Sequence, residues 1–205
     1  MLSPRRSAQM GLVATAIILS LGIGTLLISS QNSSARMLML VGRALPEVQF
    51  QDLDGKPVTL ASLNDRVTVI YFTSTRCPKS NAYNQRIIDL ARSLKADGVN
   101  FAAIHSVPKE TSEAMLREIR VQSNVLGQDF PTLLDIGGQA AKSLQITETP
   151  TFLVFGPEGV LRYRGPFDDN LNAQLVKQHF VKDAVLSLVS RNNVSVASNG
   201  TPQIR

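Results

Sequence analysis

One cysteine, Cys77, two histidines and no tryptophan stand in this 205-residue chain. A lone cysteine excludes an intrachain disulfide framework and a cysteine-rich zinc site, and leaves the redox compartment undetermined by cysteine usage. Aromatic residues make up 5% of the chain, and its 21 lysines and arginines are scattered without a basic stripe. The formal net charge of +5 therefore gives no support to nucleic-acid binding. Asp52-Leu53-Asp54-Gly55 echoes the start of a calcium loop, but no glutamate closes the twelve-residue pattern. No cofactor and no metal are expected, and there is no internal repeat. What remains is a globular composition, 43% apolar and 18% charged, long enough for one ordinary domain with appendages.

The apolar stretch Met10 to Ile28 is about 19 residues without a charge, close to what a hydrocarbon core requires. Arg5 and Arg6 precede it, so the positive-inside tendency places residues 1–9 in the cytoplasm and everything after Ile28 across the membrane. Ser33-Ser34-Ala35 offers a small-residue cleavage site, but the apolar run exceeds the roughly 7–15 residues of a signal-peptide core. An uncleaved single-pass signal anchor over 10–28 is favoured over a cleaved signal peptide. Residues 29–41 then form a linker, 42–190 a domain and 191–205 a polar, disordered tail.

Within the domain the chain is organised around Cys77. Val67 to Phe72 is a β-branched and aromatic run of the kind a buried central strand needs. Pro78 suits the first turn of a helix, and Tyr83, Ile87, Leu90, Ala91 and Leu94 recur at helical spacing to about Lys95. Cys77 thus stands between the end of a strand and the start of a helix. Free N–H groups and the positive dipole end there favour the thiolate, the nucleophilic form of cysteine. A lone cysteine is more often an inert buried hydrophobe. Polar Thr73 to Arg76 before it and the helix after it argue for reactivity here.

Upstream, Asp54-Gly55 supplies the turn of a hairpin between Leu45–Phe50 and Val58–Leu60. Downstream, Gly98 stops the helix and Val99–His105 reads as another core strand, completing a βαβ unit. Ser112 starts a second helix, Phe130–Asp135 is extended, and a brief helix passes through Ala140, Ala141 and Leu144. A strand over Ile146–Phe155 carries Pro150 at its entrance and pairs across Gly156-Pro157-Glu158-Gly159 with Val160–Tyr163. Asp168, Asp169 and Asn170 are candidate caps for a last helix whose apolar positions are Val176, Phe180, Ala184 and Leu188.

This order of elements resembles the redoxins of the alkyl hydroperoxide reductase and thiol-specific antioxidant (AhpC/TSA) superfamily, in particular membrane-anchored periplasmic thiol-disulfide reductases. The resemblance spans about Gly42 to Ser190. Its carriers are Asp54-Gly55-Lys56, Val58-Thr59-Leu60, Phe72 with Cys77-Pro78, Thr149-Pro150-Thr151, and Tyr163-Arg164-Gly165 leading to Asp168-Asp169. It implies an α/β, thioredoxin-like three-layer fold with an N-terminal β-hairpin extension and a mixed central sheet flanked by helices, here with an N-terminal transmembrane helix. It also implies that Pro150 is cis and that the Thr149-Pro150 backbone lies against Cys77, where it pairs with an extended substrate.

Departures from the family's motifs bear on the chemistry. Dithiol members have C-x-x-C; this chain has Cys77-Pro78-Lys79-Ser80, and a serine cannot resolve a mixed disulfide. Ser80 can still donate a hydrogen bond to the thiolate from one turn on. Peroxiredoxins carry P-x-x-x-T/S-x-x-C and an arginine near the sulfur; Ser74 fits the hydroxyl position, Ile70 replaces the proline, and Arg76 is the adjacent arginine. Copper-delivering relatives have C-x-x-x-C, but Asn81 stands at the second position, and one soft ligand with an unplaced histidine makes a poor copper site.

The expected function is a membrane-anchored extracytoplasmic oxidoreductase or antioxidant protein acting through Cys77. Its substrate would be a protein disulfide or a peroxide, and an external thiol reductant would clear the product. Ser74, Arg76, Cys77, Ser80, Thr149 and Pro150 are its candidate site residues. The alternative, motivated by Ser80, is a module without turnover that binds extended peptides or assists assembly of a membrane or metalloprotein partner.

Overall fold

The computed structural model describes residues 41–42, 47–63 and 66–197, with side chains to Ser190. The apolar run at 10–28 lies outside the described residues; among those described, no helix is long and apolar enough to cross a membrane. Nearly all of the linker and the end of the tail lie outside them as well.

Seven strands form one sheet. β1 (Gln49–Asp52) and β2 (Pro57–Thr59) are the predicted hairpin. At its turn Gly55 has φ 82°, and Asp52 Oδ1 accepts from the N–H groups of Asp54 and Lys56 at 2.9 Å each. β3 (Thr68–Thr73) leads through α1 (Pro78–Leu94) to β4 (Asn100–Val107), which leads through α2 (Glu113–Val125) to β5 (Thr132–Ile136). Short α3 (Gln139–Ser143) precedes β6 (Thr151–Phe155) and β7 (Leu161–Gly165), and α4 (Phe180–Ala197) follows. The spatial order is β2-β1-β5-β4-β3-β6-β7. β3, β4 and β5 are parallel, while β1, β6 and β7 pair antiparallel, so the sheet is mixed.

All six residues of β3 are buried, as its position between two strands and beneath helices demands. On one face Val67, Val69, Tyr71, Phe101 and Phe152 pack with Tyr83, Ile87 and Leu94 of α1 and Val181, Val185 and Leu188 of α4. Tyr71 stacks on Phe152 at 5.2 Å. Ile119 of α2 packs with Val107 and Leu134. Val107 shares its side of β4 with Phe101 by strand alternation, so α2 lies on the same face as α1.

Two expectations about boundaries are corrected. The strand predicted from Ile146 begins at Thr151, because Pro150 has no N–H for a ladder and the Ile146 N–H instead bonds the Ala141 carbonyl at 2.7 Å. The last helix starts at Phe180 and not near Asp168–Asn170. Asp169 Oδ1 there accepts from the N–H groups of Lys177 and Gln178, and Asn172 caps only a short 3₁₀ turn, Ala173–Leu175. Acidic and amide side chains satisfied the backbone locally, and Val176 stayed extended. The helix runs on to Ala197.

Ser112 caps α2 by accepting from the Met115 N–H at 3.3 Å. Ser112→Ala is expected to lower stability by about 1 kcal/mol in urea unfolding, with Cys77 reactivity unchanged.

Candidate active site

Cys77 is the N-cap residue of α1, extended at φ −89° and ψ 114°, with Pro78 in the first turn. The turn that delivers it is closed by the Cys77 N–H donating to the Ser74 carbonyl at 3.1 Å and the Arg76 N–H donating to Ser74 Oγ at 3.3 Å. Across from it, the Thr149–Pro150 peptide is cis. Cys77 Sγ lies 3.2 Å from the Thr149 carbonyl oxygen. Strand pairing explains the meeting: β3 and β6 are antiparallel neighbours with Phe72 opposite Thr151, so the exit of one and the entrance of the other lie side by side.

The thiol is half-buried, and burial pushes its pKa up. Hydrogen bonds outweigh that effect: the Thr149 hydroxyl, the Ser80 N–H and hydroxyl, and the Lys79 N–H all favour the anion and bring the pKa from 9.0 down to about 7. The contact with the Thr149 carbonyl belongs to the protonated form, since only S–H can donate to it. Ser80 is 1% exposed, and while the thiol is protonated its hydroxyl has no hydrogen-bond partner among the described residues. An unpaired buried hydroxyl is unfavourable by about 1–3 kcal/mol, so ionisation of the neighbouring sulfur supplies an acceptor where one is missing.

The other candidates are placed differently. Arg76 is turned outward onto Glu118 of α2 at 3.1 Å. Arg162 pairs with Glu158, and Arg164 donates to the Leu144 and Gln145 carbonyls. The Ser74 hydroxyl is engaged in its own turn. His105, at the end of β4, is 7% exposed; burial holds its pKa down to about 4 against the opposing pull of Glu118, so it is neutral at ordinary pH. His179 is exposed on the rim of a separate cavity of about 300 Å³ beside Arg86 and Phe167. Sequence reasoning missed Glu118, whose only local signal is a polar position on an amphipathic helix, and it read Asp168 as a helix cap. Asp168 is instead a buried partner of Arg86.

The chain matches the model of the AhpC/TSA family over residues 41–164. It belongs to that family. No curated protein matches it. Among solved structures, an uncharacterized conserved protein from Geobacillus kaustophilus is similar at 26% identity, with 74% of this chain and 82% of that one covered and a TM-score of 0.66. A secreted disulfide oxidoreductase of Mycobacterium tuberculosis homologous to E. coli DsbE aligns at 19% identity over 70% of this chain and 95% of that one, TM-score 0.51. A thioredoxin family thiol:disulfide interchange protein from Chlorobium tepidum aligns at 16% identity over 72% and 97%, TM-score 0.56. Identities this low establish a shared thioredoxin-like fold. Within the AhpC/TSA family, this member has one cysteine at the helix start and serine three residues on.

Proposed function

We propose that this AhpC/TSA-family protein exchanges thiols with disulfides through Cys77 alone. The observation that carries the reading is the sulfur itself: at the start of α1, 3.2 Å from the Thr149 carbonyl, with a thiol pKa lowered to about 7. In the first step the Cys77 thiolate attacks one sulfur of a substrate disulfide, forming a mixed disulfide and expelling the other sulfur as thiolate. With Ser80 where a resolving thiol would stand, the mixed disulfide waits for an external thiolate. That thiolate attacks the substrate's sulfur and returns Cys77 as thiolate.

Disulfide is favoured over peroxide as the electrophile. Peroxide would call for a cation beside the sulfur, and among the described residues Arg76, Arg162 and Arg164 are each engaged elsewhere. The proposal extends to location: Arg5 and Arg6 before the apolar 10–28 run support an anchored chain with its redoxin domain on the extracytoplasmic side.

The test is trapping: full-length protein is mixed with a disulfide-containing protein without added thiol. A mixed disulfide through Cys77 that persists until an external thiol is added supports the reading. Binding of the same substrate with no covalent adduct would favour the peptide-binding module instead.

Ser80→Ala is expected to raise the Cys77 pKa by less than one unit toward 9.0, read by alkylation against pH. It is not expected to weaken the fold, since the hydroxyl it removes was unpaired.

A further inference from the structure

Cys77 is bracketed by contacts that never touch it. Before it, the Thr75 hydroxyl and the Arg76 guanidinium donate to the carboxylate of Glu118, the latter at 3.1 Å. After it, Asn81 Nδ2 reaches back to the Thr75 carbonyl at 2.9 Å, and Gln122 Nε2 donates to Asn81 Oδ1 at 3.0 Å. Glu118 and Gln122 are four residues apart, one turn along the same face of α2. Thr75, Asn81, Gln122 and Glu118 therefore close a polar ring around the turn that presents the sulfur.

We infer that Glu118 is a positioning residue for Cys77, fixing the 74–77 turn from α2 through the Thr75 hydroxyl. This rests on the reading of Cys77 as the reactive group. The ion pair with Arg76 is too exposed to hold the turn by itself, since surface pairs contribute about 0–1 kcal/mol. The bond to Thr75 is the one that ties backbone next to the nucleophile to a packed helix: α2 is anchored in the core by Ile119, directly after Glu118. The anion's donors, the Ser80 and Lys79 N–H groups and the Thr149 hydroxyl, are short-range and directional, so a turn free to drift loses them.

The experiment is alkylation of the full-length protein by iodoacetamide across pH 5–10, followed by mass spectrometry, for wild type, Glu118→Ala, Glu118→Gln and Thr75→Val. Glu118→Ala and Thr75→Val are expected to raise the alkylation midpoint by about one unit, leaving about fivefold less thiolate at pH 7. Glu118→Gln still accepts the Thr75 hydroxyl and is expected to stay near wild type. Removing a carboxylate for its charge alone would move both Glu118 variants the other way, since nearby negative charge disfavours a thiolate.

The inference is overturned if Glu118→Ala titrates like wild type, or if the alanine and glutamine variants shift together. Should Glu118→Ala not fold by circular dichroism, Thr75→Val decides by the same midpoint. A wild-type midpoint near 9 would instead overturn the proposed function, so the two failures are told apart.

Discussion

Cys77→Ser is expected to abolish thiol–disulfide exchange to the level of buffer alone, while leaving unfolding by urea unchanged. A hydroxyl fits the half-buried site but does not ionise in the working pH range, and only the ionised sulfur attacks a disulfide. In the wild-type protein the exchange rate is expected to rise about tenfold per pH unit below 7 and level off above it. The sign follows from the lowered pKa: above about 7 the thiolate is already formed, and below it protons compete. At pH 7 a thiol of pKa 7 is half ionised and one of pKa 9 about 1% ionised, roughly a fiftyfold advantage in thiolate. Lower basicity makes each thiolate less nucleophilic by about eightfold at a Brønsted slope of 0.4–0.5, so the net gain is about sixfold. Stopped-flow exchange with a small neutral disulfide measures both arms. A midpoint near 9, or residual exchange in the serine variant, would count against the assignment.

Arg86→Ala is expected to destabilise the fold by about 3–5 kcal/mol, read from urea unfolding. Asp168 is buried at 1% side-chain exposure, and Arg86, 19% exposed, is its ion-pair partner. The same guanidinium donates to the Asn170 and Leu171 carbonyls at 3.1 and 2.8 Å and lies 4.4 Å over the Tyr83 ring. Truncation thus leaves a buried carboxylate with the Asn170 N–H as its remaining donor, removes the bonds to two carbonyls, and frees the loop that leads to α4. The paired substitution Arg86→Leu with Asp168→Leu is expected to be milder than Arg86→Ala, because the uncompensated charge is gone. A loss below about 1 kcal/mol for Arg86→Ala would mean that water reaches Asp168 and screens it.

The Asp168 error shows where local reading stops. Asp168-Asp169-Asn170 has the composition of a helix cap, and Val176, Phe180, Ala184 and Leu188 have helical spacing. The cap-like residues instead lie in a loop in which Asp169 takes the N–H groups of Lys177 and Gln178 and Asp168 turns inward to α1, and the helical spacing holds only from Phe180 on. The choice was made by a partner 82 residues away, which no local pattern reports. Pro150 is the opposite case. Its missing N–H is a local fact that bars the ladder at Pro150, so the extended stretch from Ile146 does not pair until Thr151. The register of β6 with β3 begins at Thr151, where a donor is available.

What the residues determined unaided is short-range: the buried run of β3, Pro78 opening α1, Gly55 turning the first hairpin, and hence a thiol set between a strand end and a helix start. Backbone periodicity, ring closure at proline and positive φ at glycine act over a few neighbours, and so are legible in order along the chain. That Cys77 faces Thr149, 72 residues on, is implied by the family resemblance and by no local pattern, and the tertiary structure alone decided that Arg76 points away to Glu118 and that Asp168 pairs with Arg86. Those contacts follow from which strands neighbour which and which helices share a face, properties of the whole packed sheet that no single segment encodes.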